Sequence, residues 1–262
     1  MRSPYYRLLE EDKTMRLTEA EENRYNRHLI LDQIGREGQL KLKNAKILVV
    51  GAGGLGCPAL QYLTAAGVGT LGIVDFDEVD LSNLHRQILF NHQDVGRNKA
   101  SCAAEKLHLL NPEIELIPYP VKLEASNAKE IIANYDIVLD GSDNFATRYL
   151  VNDCCTALNK PMVYGAIYKF EGQVSVFNYN NGPTYRCLFP ENDATAPNCS
   201  EVGVLGVLPG VIGLYQATEA IKIILDIGQV LSGRLLQMNL LTHETTQLSI
   251  QKRKQQTQTA HK

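Results

Sequence analysis

The chain is 262 residues long with 44% hydrophobic and 21% charged side chains, the make-up of an ordinary globular protein with a sizeable core. A net charge of −3 gives no footprint for nucleic acid, which needs clustered excess positive charge. The opening MRSPYYRLLEEDKTM has no apolar signal core and carries acids, so a cytoplasmic protein is expected, and its six scattered cysteines read as reduced thiols.

Up to residue 42 the chain is rich in Glu, Arg and Asn with modest helical periodicity, which predicts an N-terminal helical arm over 1–42. Ile47, Leu48, Val49 and Val50 form a wholly apolar run, as expected of a strand covered on both faces. GAGGLG follows at 51–56, and 58–66 predicts a helix with Pro58 in its first turn. Residues 70–75 predict a strand, 98–110 a helix ended by Asn111 and Pro112, 113–120 a strand, 128–134 a helix and 136–140 a strand. Beyond Pro161 come strands over 162–167 and 172–179. In the second, Val174 and Val176 alternate with Gln173 and Ser175, which suggests antiparallel pairing with one wetter face.

Residues 183–200 predict a surface loop, 208–225 a long helix, 234–242 and 245–251 a hairpin, and 253–262 a disordered tail. The uncharged run 202–215 is too short to span a bilayer and is broken by glycines and Pro209, so no membrane partner is expected and the run reads as a buried element or subunit interface. The order predicts an α/β fold with a Rossmann-like sheet, parallel in its N-terminal half, antiparallel in its C-terminal strands, with helices on both faces, in one domain over 43–252.

A strand, a loop with Gly51, Gly53, Gly54 and Gly56, a helix, and then Asp75 ending the next strand match a nucleotide-binding fingerprint. Glycines let backbone N–H groups approach phosphate, the helix terminus adds partial positive charge, and the acid suits a ribose hydroxyl. This points to an adenine nucleotide without saying which. A triphosphate carries about four negative charges and usually needs cations or Mg²⁺. Arg86 and Lys99 follow the second strand, and Asp143 follows the fourth, where a carboxylate suits Mg²⁺. Singly, Arg86 and Lys99 read as solvated charges and Asp143 as a helix cap; jointly they favour ATP. An NAD-dependent oxidoreductase and a nucleotide-binding scaffold without catalysis are the alternatives.

The segments RYNRHLILDQIG at 24–35, VVGAGGLGCPALQYLTAAGVG, IVDFDEVDLSNLHRQILF, VGRNKA and LDGSDNFATRYLVND resemble the HesA/MoeB/ThiF family, over about 17–251. These bacterial relatives of ubiquitin-activating enzymes adenylate the thiamine or molybdopterin sulfur carrier. The resemblance implies that Gly54 lies against the phosphates and Asp75 on the ribose, with Ser82, Asn83, Arg86, Gln87 and Lys99 around the triphosphate. It implies Mg²⁺ on Asp143, beside Asn144. Arg27 resembles an arginine that reaches into a partner subunit's nucleotide site, which implies a homodimer; by its local sequence alone it is a surface arginine on a helix. The implied reaction is attack of a ubiquitin-like carrier's terminal glycine carboxylate on the α-phosphate, the carrier being ThiS- or MoaD-like and ending in Gly-Gly. A separate sulfur donor is expected, since no rhodanese domain follows.

Many family members hold structural zinc with two C-x-x-C pairs. Here the first pair reads Thr184, Tyr185, Arg186, Cys187, no cysteine follows Cys199, and His243 and His261 are not at matching spacing, so no zinc is expected. Cys187 then reads as a structural thiol, and Cys154 and Cys155 as packing residues. Cys199 falls where some relatives carry a cysteine that bonds to the carrier; it reads equally as a small half-buried residue at a loop–helix junction.

Overall fold

The computed structural model describes residues 16–190 and 203–253. Three short helices come first, α1 (Glu19–Arg24), α2 (Asn26–Leu29) and α3 (Gly35–Asn44). A capping box starts α1: the Thr18 hydroxyl accepts from Glu21 N, and the Glu21 carboxylate accepts from Thr18 N. Glu21 also pairs with Lys43 on α3 at 2.8 Å, and the buried Tyr25 hydroxyl accepts from Asn111 Nδ2 at 2.9 Å. From Thr18 onward these helices are therefore packed onto the body, and α3 runs continuously through residues 42 and 43.

There follow β1 (Lys46–Val50), α4 (Gly56–Ala66), β2 (Thr70–Val74), α5 (Lys99–Leu110), β3 (Glu115–Tyr119), α6 (Ala128–Ala133) and β4 (Ile137–Asp140). Then come α7 (Phe145–Ala157), β5 (Met162–Tyr168), β6 (Glu171–Phe177), α8 (Tyr185–Leu188), α9 (Leu208–Leu225), β7 (Arg234–Asn239) and β8 (Thr245–Ser249). One sheet holds all eight strands in the order β3-β2-β1-β4-β5-β6-β7-β8. Pairing is parallel from β3 to β5 and antiparallel from β5 to β8. The chain steps outward from β1 to β3, then returns to lay β4 on the other side of β1. Connections diverge at that reversal, which opens a crevice at the carboxyl ends of β1 and β4.

The period of two along β1 explains its apolar run. Ile47 and Val49 join the core cluster of Leu60 and Leu63 of α4, Leu107 of α5 and Ile212 of α9. Leu48 and Val50 join the opposite cluster, with Ile132 of α6, Val151 of α7 and Tyr185 of α8. By length and composition α9 could cross a membrane, but half of its 18 residues are buried against the sheet. Within it Gln216 donates to Asp140 O at 2.7 Å and Val163 O at 3.2 Å, and Glu219 accepts from Leu231 N at 2.8 Å. Such buried polar bonds belong to a core helix.

Three expectations change. The strand predicted over 172–179 has no wet face along most of its length: Ser175 is fully buried, and its hydroxyl donates to Arg234 O at 2.8 Å. The cause is position, since β6 lies between β5 and β7 and both its faces are covered. The loop predicted over 183–200 opens with α8, which Thr184 and Cys187 close as a capping box; residues 191–202 lie outside the described residues. The helix predicted from Pro58 begins at Gly56, inside the glycine loop itself.

Candidate active site

A cavity of about 940 Å³ opens at the β1/β4 reversal. Its floor is the glycine loop. Gly51 has φ +92°, and a Cβ there would stand 2.9 Å from Gly141 O; a Cβ on Gly56 would stand 1.9 Å from Gly51 O. The loop is thus folded backbone against backbone and admits no side chain at either position. Gly51, Gly53 and Gly54 line the cavity, whereas Gly56 stands outside its lining and seats the first turn of α4.

Asp75 directly follows β2 and is nearly buried on the cavity side. One oxygen accepts from Ala52 N at 2.8 Å and the other from Asp77 N at 2.9 Å. Burial lifts its carboxyl above the usual carboxylate range, and the Lys99 charge opposes that shift. Lys99 opens α5, is itself buried, and places Nζ 3.2 Å from the half-exposed Asp77 carboxylate. Asn98 fixes this start: Oδ1 caps Ser101 N at 3.0 Å, while Nδ2 donates to Asp75 O at 3.1 Å and Asp77 O at 3.2 Å.

Arg86 lays its stem over Gly54, and Nη1 donates to Ser82 O at 3.1 Å and His85 Nε2 at 2.9 Å. Ser82 and the buried Gln87 line the cavity beside it, and Gln87 Oε1 has no partner among the described residues. Asn83 does not line the cavity; its Oδ1 accepts from Asp80 N at 3.4 Å and closes the short 3₁₀ turn over Leu81–Asn83.

On the far side, the turn after β4 carries Asp143. Asn144, not Asp143, caps α7, accepting from Thr147 N at 2.9 Å. Asp143 therefore stands exposed on the cavity wall, its carboxylate accepting a long 3.5 Å bond from Asn144 Nδ2. The turn is gripped from beneath. The fully buried Asp140 accepts from Ser142 N at 2.9 Å, and the buried Arg148 donates from Nη2 to Ser142 O at 3.0 Å. Phe145 and Tyr164 flank the Arg148 guanidinium, each ring centroid 5.6 Å away.

The sequence reading missed several lining residues: Arg148, Phe76, Lys122 and Lys169. Arg148 had a signal, since it falls on the same helical face as Val151, Asn152 and Cys155, all buried, where a charge needs a reason. Arg27 is exposed on α2 and lies outside this chain's own cavity. Cys199 lies outside the described residues.

The open Asp143 carboxylate on the cavity wall is of the kind that suits Mg²⁺, which takes one or two carboxylates and fills its shell with phosphate oxygens and water. A tetrahedral zinc site needs four Cys or His ligands, and among the described residues no group of three His, Cys, Asp or Glu converges, at Cys187 or elsewhere. Cys187 Sγ instead accepts from Thr184 N at 3.4 Å. Burial pulls its thiol up, but hydrogen bonds from the Arg253 backbone and Thr184 outweigh that and hold it below its ordinary value.

The sequence profile of the ThiF family matches residues 25–259. The sulfur carrier protein adenylyltransferase of Thermus thermophilus is 51% identical over 245 residues, which is 91% of this chain and 90% of that protein. The SAMP-activating enzyme E1 of Haloferax volcanii is 51% identical over 225 residues, covering 85% of this chain and 83% of the other. The adenylyltransferase and sulfurtransferase MOCS3 of Aedes aegypti is 52% identical over 223 residues, but this chain spans only 51% of its length. Among solved structures, E. coli MccB with ATP shares the fold, with a TM-score of 0.78 at 22% identity over 90% of this chain and 73% of that one.

Proposed function

The chain belongs to the ThiF family, and from that premise we propose that it is an ATP-dependent adenylyltransferase acting on the C-terminal glycine carboxylate of a ubiquitin-like sulfur carrier, ThiS- or MoaD-like. The observation that carries this reading is the meeting of glycine loop, Arg86, Lys99 and Asp143 in one cavity at the sheet reversal.

The phosphates rest on the glycine loop and the first turn of α4, where unpaired N–H groups and the helix dipole favour negative charge. Asp75 uses its backbone bonds to stay fixed and its remaining lone pairs to hold a ribose hydroxyl. Lys99 exchanges the exposed Asp77 carboxylate for a phosphate oxygen, and Arg86 turns its guanidinium from Ser82 O and His85 to the same chain of phosphates. Asp143 would hold Mg²⁺, whose chemistry there is to neutralise phosphate charge and orient the leaving group.

One oxygen of the carrier carboxylate forms the new bond to the α-phosphorus. The bond from that phosphorus to the bridging oxygen breaks, and its electron pair leaves with pyrophosphate. The carboxylate is ionised at neutral pH, so no general base is needed, and positioning and charge neutralisation supply the rate.

Arg27 acts in a homodimer. It is exposed on α2 beside Ile30 and Leu31, which are 63% and 47% exposed, and a second copy covering that patch brings Arg27 to its neighbour's nucleotide. Sulfur comes from a separate donor, in a thiamine or molybdopterin route. The test is ATP–pyrophosphate exchange with a carrier ending in Gly-Gly. Exchange that requires the carrier is expected; hydride transfer without ATP, or exchange indifferent to any carrier, overturns the assignment.

A further inference from the structure

Both halves of the sheet line the cavity. Ser82, Arg86 and Lys99 all come from the segments that follow β2, so the triphosphate end lies on the parallel side. In a displacement at the α-phosphorus the attacking carboxylate must approach from opposite the departing pyrophosphate. That approach is the antiparallel side, built by Ile167, Tyr168 and Lys169 at the tip of the β5–β6 hairpin and by Gly203 and Val204. At about 940 Å³ the cavity is near the top of the range for single-ligand sites, roughly 300–1,000 Å³, which leaves room for a glycine tail beside a nucleotide.

The tip is fixed. Lys169 bridges to Val204, and its carbonyl accepts from Leu205 N at 3.0 Å. Its φ is +53°, in the left-handed region that lysine seldom adopts. Elsewhere among the described residues that side of the backbone map is taken by glycines or, at most of the other positions, by asparagine: Asn159, Asn178, Asn180 and Asn181. The turn alone therefore does not explain a lysine at this position. The exposed ammonium rests 5.2 Å over the Tyr168 ring, a contact weak enough at the surface to yield to a carboxylate. Of the other lining cations, Lys99 and Arg86 serve the phosphate end and Arg148 holds Ser142 O; Lys122, whose 6.0 Å contact with the Phe76 ring is no tighter than that of Lys169, follows β3 on the parallel side, away from the approach of the carboxylate.

Resting on the adenylation reading, we infer that Lys169 is the positioning residue that receives the terminal carboxylate of the carrier and sets it for attack. The test uses exchange kinetics with a purified ThiS- or MoaD-like carrier, whichever supports the wild-type enzyme. Three variants separate charge from turn: Lys169→Met keeps the stem, Lys169→Gly relaxes the backbone, and Lys169→Arg keeps the charge. Met and Gly are each expected to raise KM for the carrier by about tenfold to a hundredfold, the worth of one charged hydrogen bond. KM for ATP and the Kd of a non-hydrolysable ATP analogue should stay within about twofold, and Arg should recover most of the loss. An unchanged carrier KM in both Met and Gly variants overturns the role, and so does a parallel rise in KM for ATP. If the wild type shows no carrier-dependent exchange, the adenylation reading itself fails and this role falls with it.

Discussion

The parallel and antiparallel halves of the sheet contribute in different ways. On the parallel side the glycine loop, Asp75 and Asp143 sit directly after β1, β2 and β4, while Arg86 and Lys99 come from the long β2–α5 connection and the start of α5. The inner strands β1, β2 and β4 are buried almost throughout, so only their ends are free for chemistry, whereas the edge strand β3 is partly exposed. On the antiparallel side β5 emerges from burial over Ala166, Ile167 and Tyr168, and β8 is exposed at every residue. One half grips with backbone and must be rigid; the other presents side chains along an edge, where they can be matched to a protein partner.

The largest effect that would sharpen this division is Lys99→Met. Removing one preorganised charge from the phosphate end should lower kcat/KM for exchange by about a hundredfold to a thousandfold. Folding should lose only modestly, because the ion-pair partner left behind, Asp77, is half exposed, and Asp75, whose burial the Lys99 charge opposes, keeps its two backbone hydrogen bonds. Steady-state exchange together with a melting curve checks both parts, and a large drop in melting temperature would count against an electrostatic role.

A second substitution tests the other half. Tyr185 is fully buried among Tyr149, Tyr164, Phe177 and Phe189, with ring centroids 4.9–5.6 Å away. Tyr185→Ala should cost about 3–5 kcal/mol of stability, read from urea unfolding, while the folded fraction keeps its ATP affinity. The hydroxyl has no partner among the described residues, so Tyr185→Phe should be neutral or stabilising. A weakened ATP affinity in Tyr185→Phe would mean the two halves are coupled, and the division drawn above would not hold.

The same contrast explains what could be read from the sequence. Gly51, Asp75 and Asp143 each follow a recognisable apolar run, because in a parallel sheet the strand end and the ligand-facing turn are adjacent in sequence, and Lys99 is marked instead by the start of a helix. Arg148 carries no such mark, and Lys169, although it directly follows β5, sits in a hairpin tip whose neighbours are distant in sequence. Lys169 reaches the cavity through a hairpin tip that pairs with Val204, and Arg148 through one helical turn back to Ser142. Those meetings are made by tertiary packing. Asn83 and Gly56 show the converse, since both sit within the motif yet shape the backbone beside the cavity without lining it. The wet face expected for β6 failed for a similar reason: a period of two records side-chain direction, and the cover on each face is set by elements distant in sequence.

The smallest expected effect lies beneath the turn that carries Asp143. Asp140 is fully buried, with one oxygen bound to Ser142 N at 2.9 Å and the other unpartnered among the described residues. Burial lifts its carboxyl above the usual range, against the pull of the Arg148 guanidinium. A raised folded-state value means the folded protein holds this proton more tightly than the unfolded chain does. The stability tied to it is complete below the unfolded value of about 3.9 and is lost as pH rises through the folded value. Asp140→Asn cannot titrate but keeps the acceptor for Ser142 N. Urea unfolding of both proteins across a pH series should show the difference moving steadily in favour of the variant from about pH 4 upward, then levelling. A gap that does not vary with pH would mean the carboxyl is unshifted, and a gap moving the other way would mean Arg148 dominates. Because Arg148 still holds Ser142 O, exchange by the variant should fall by less than about tenfold, far less than for Lys99→Met.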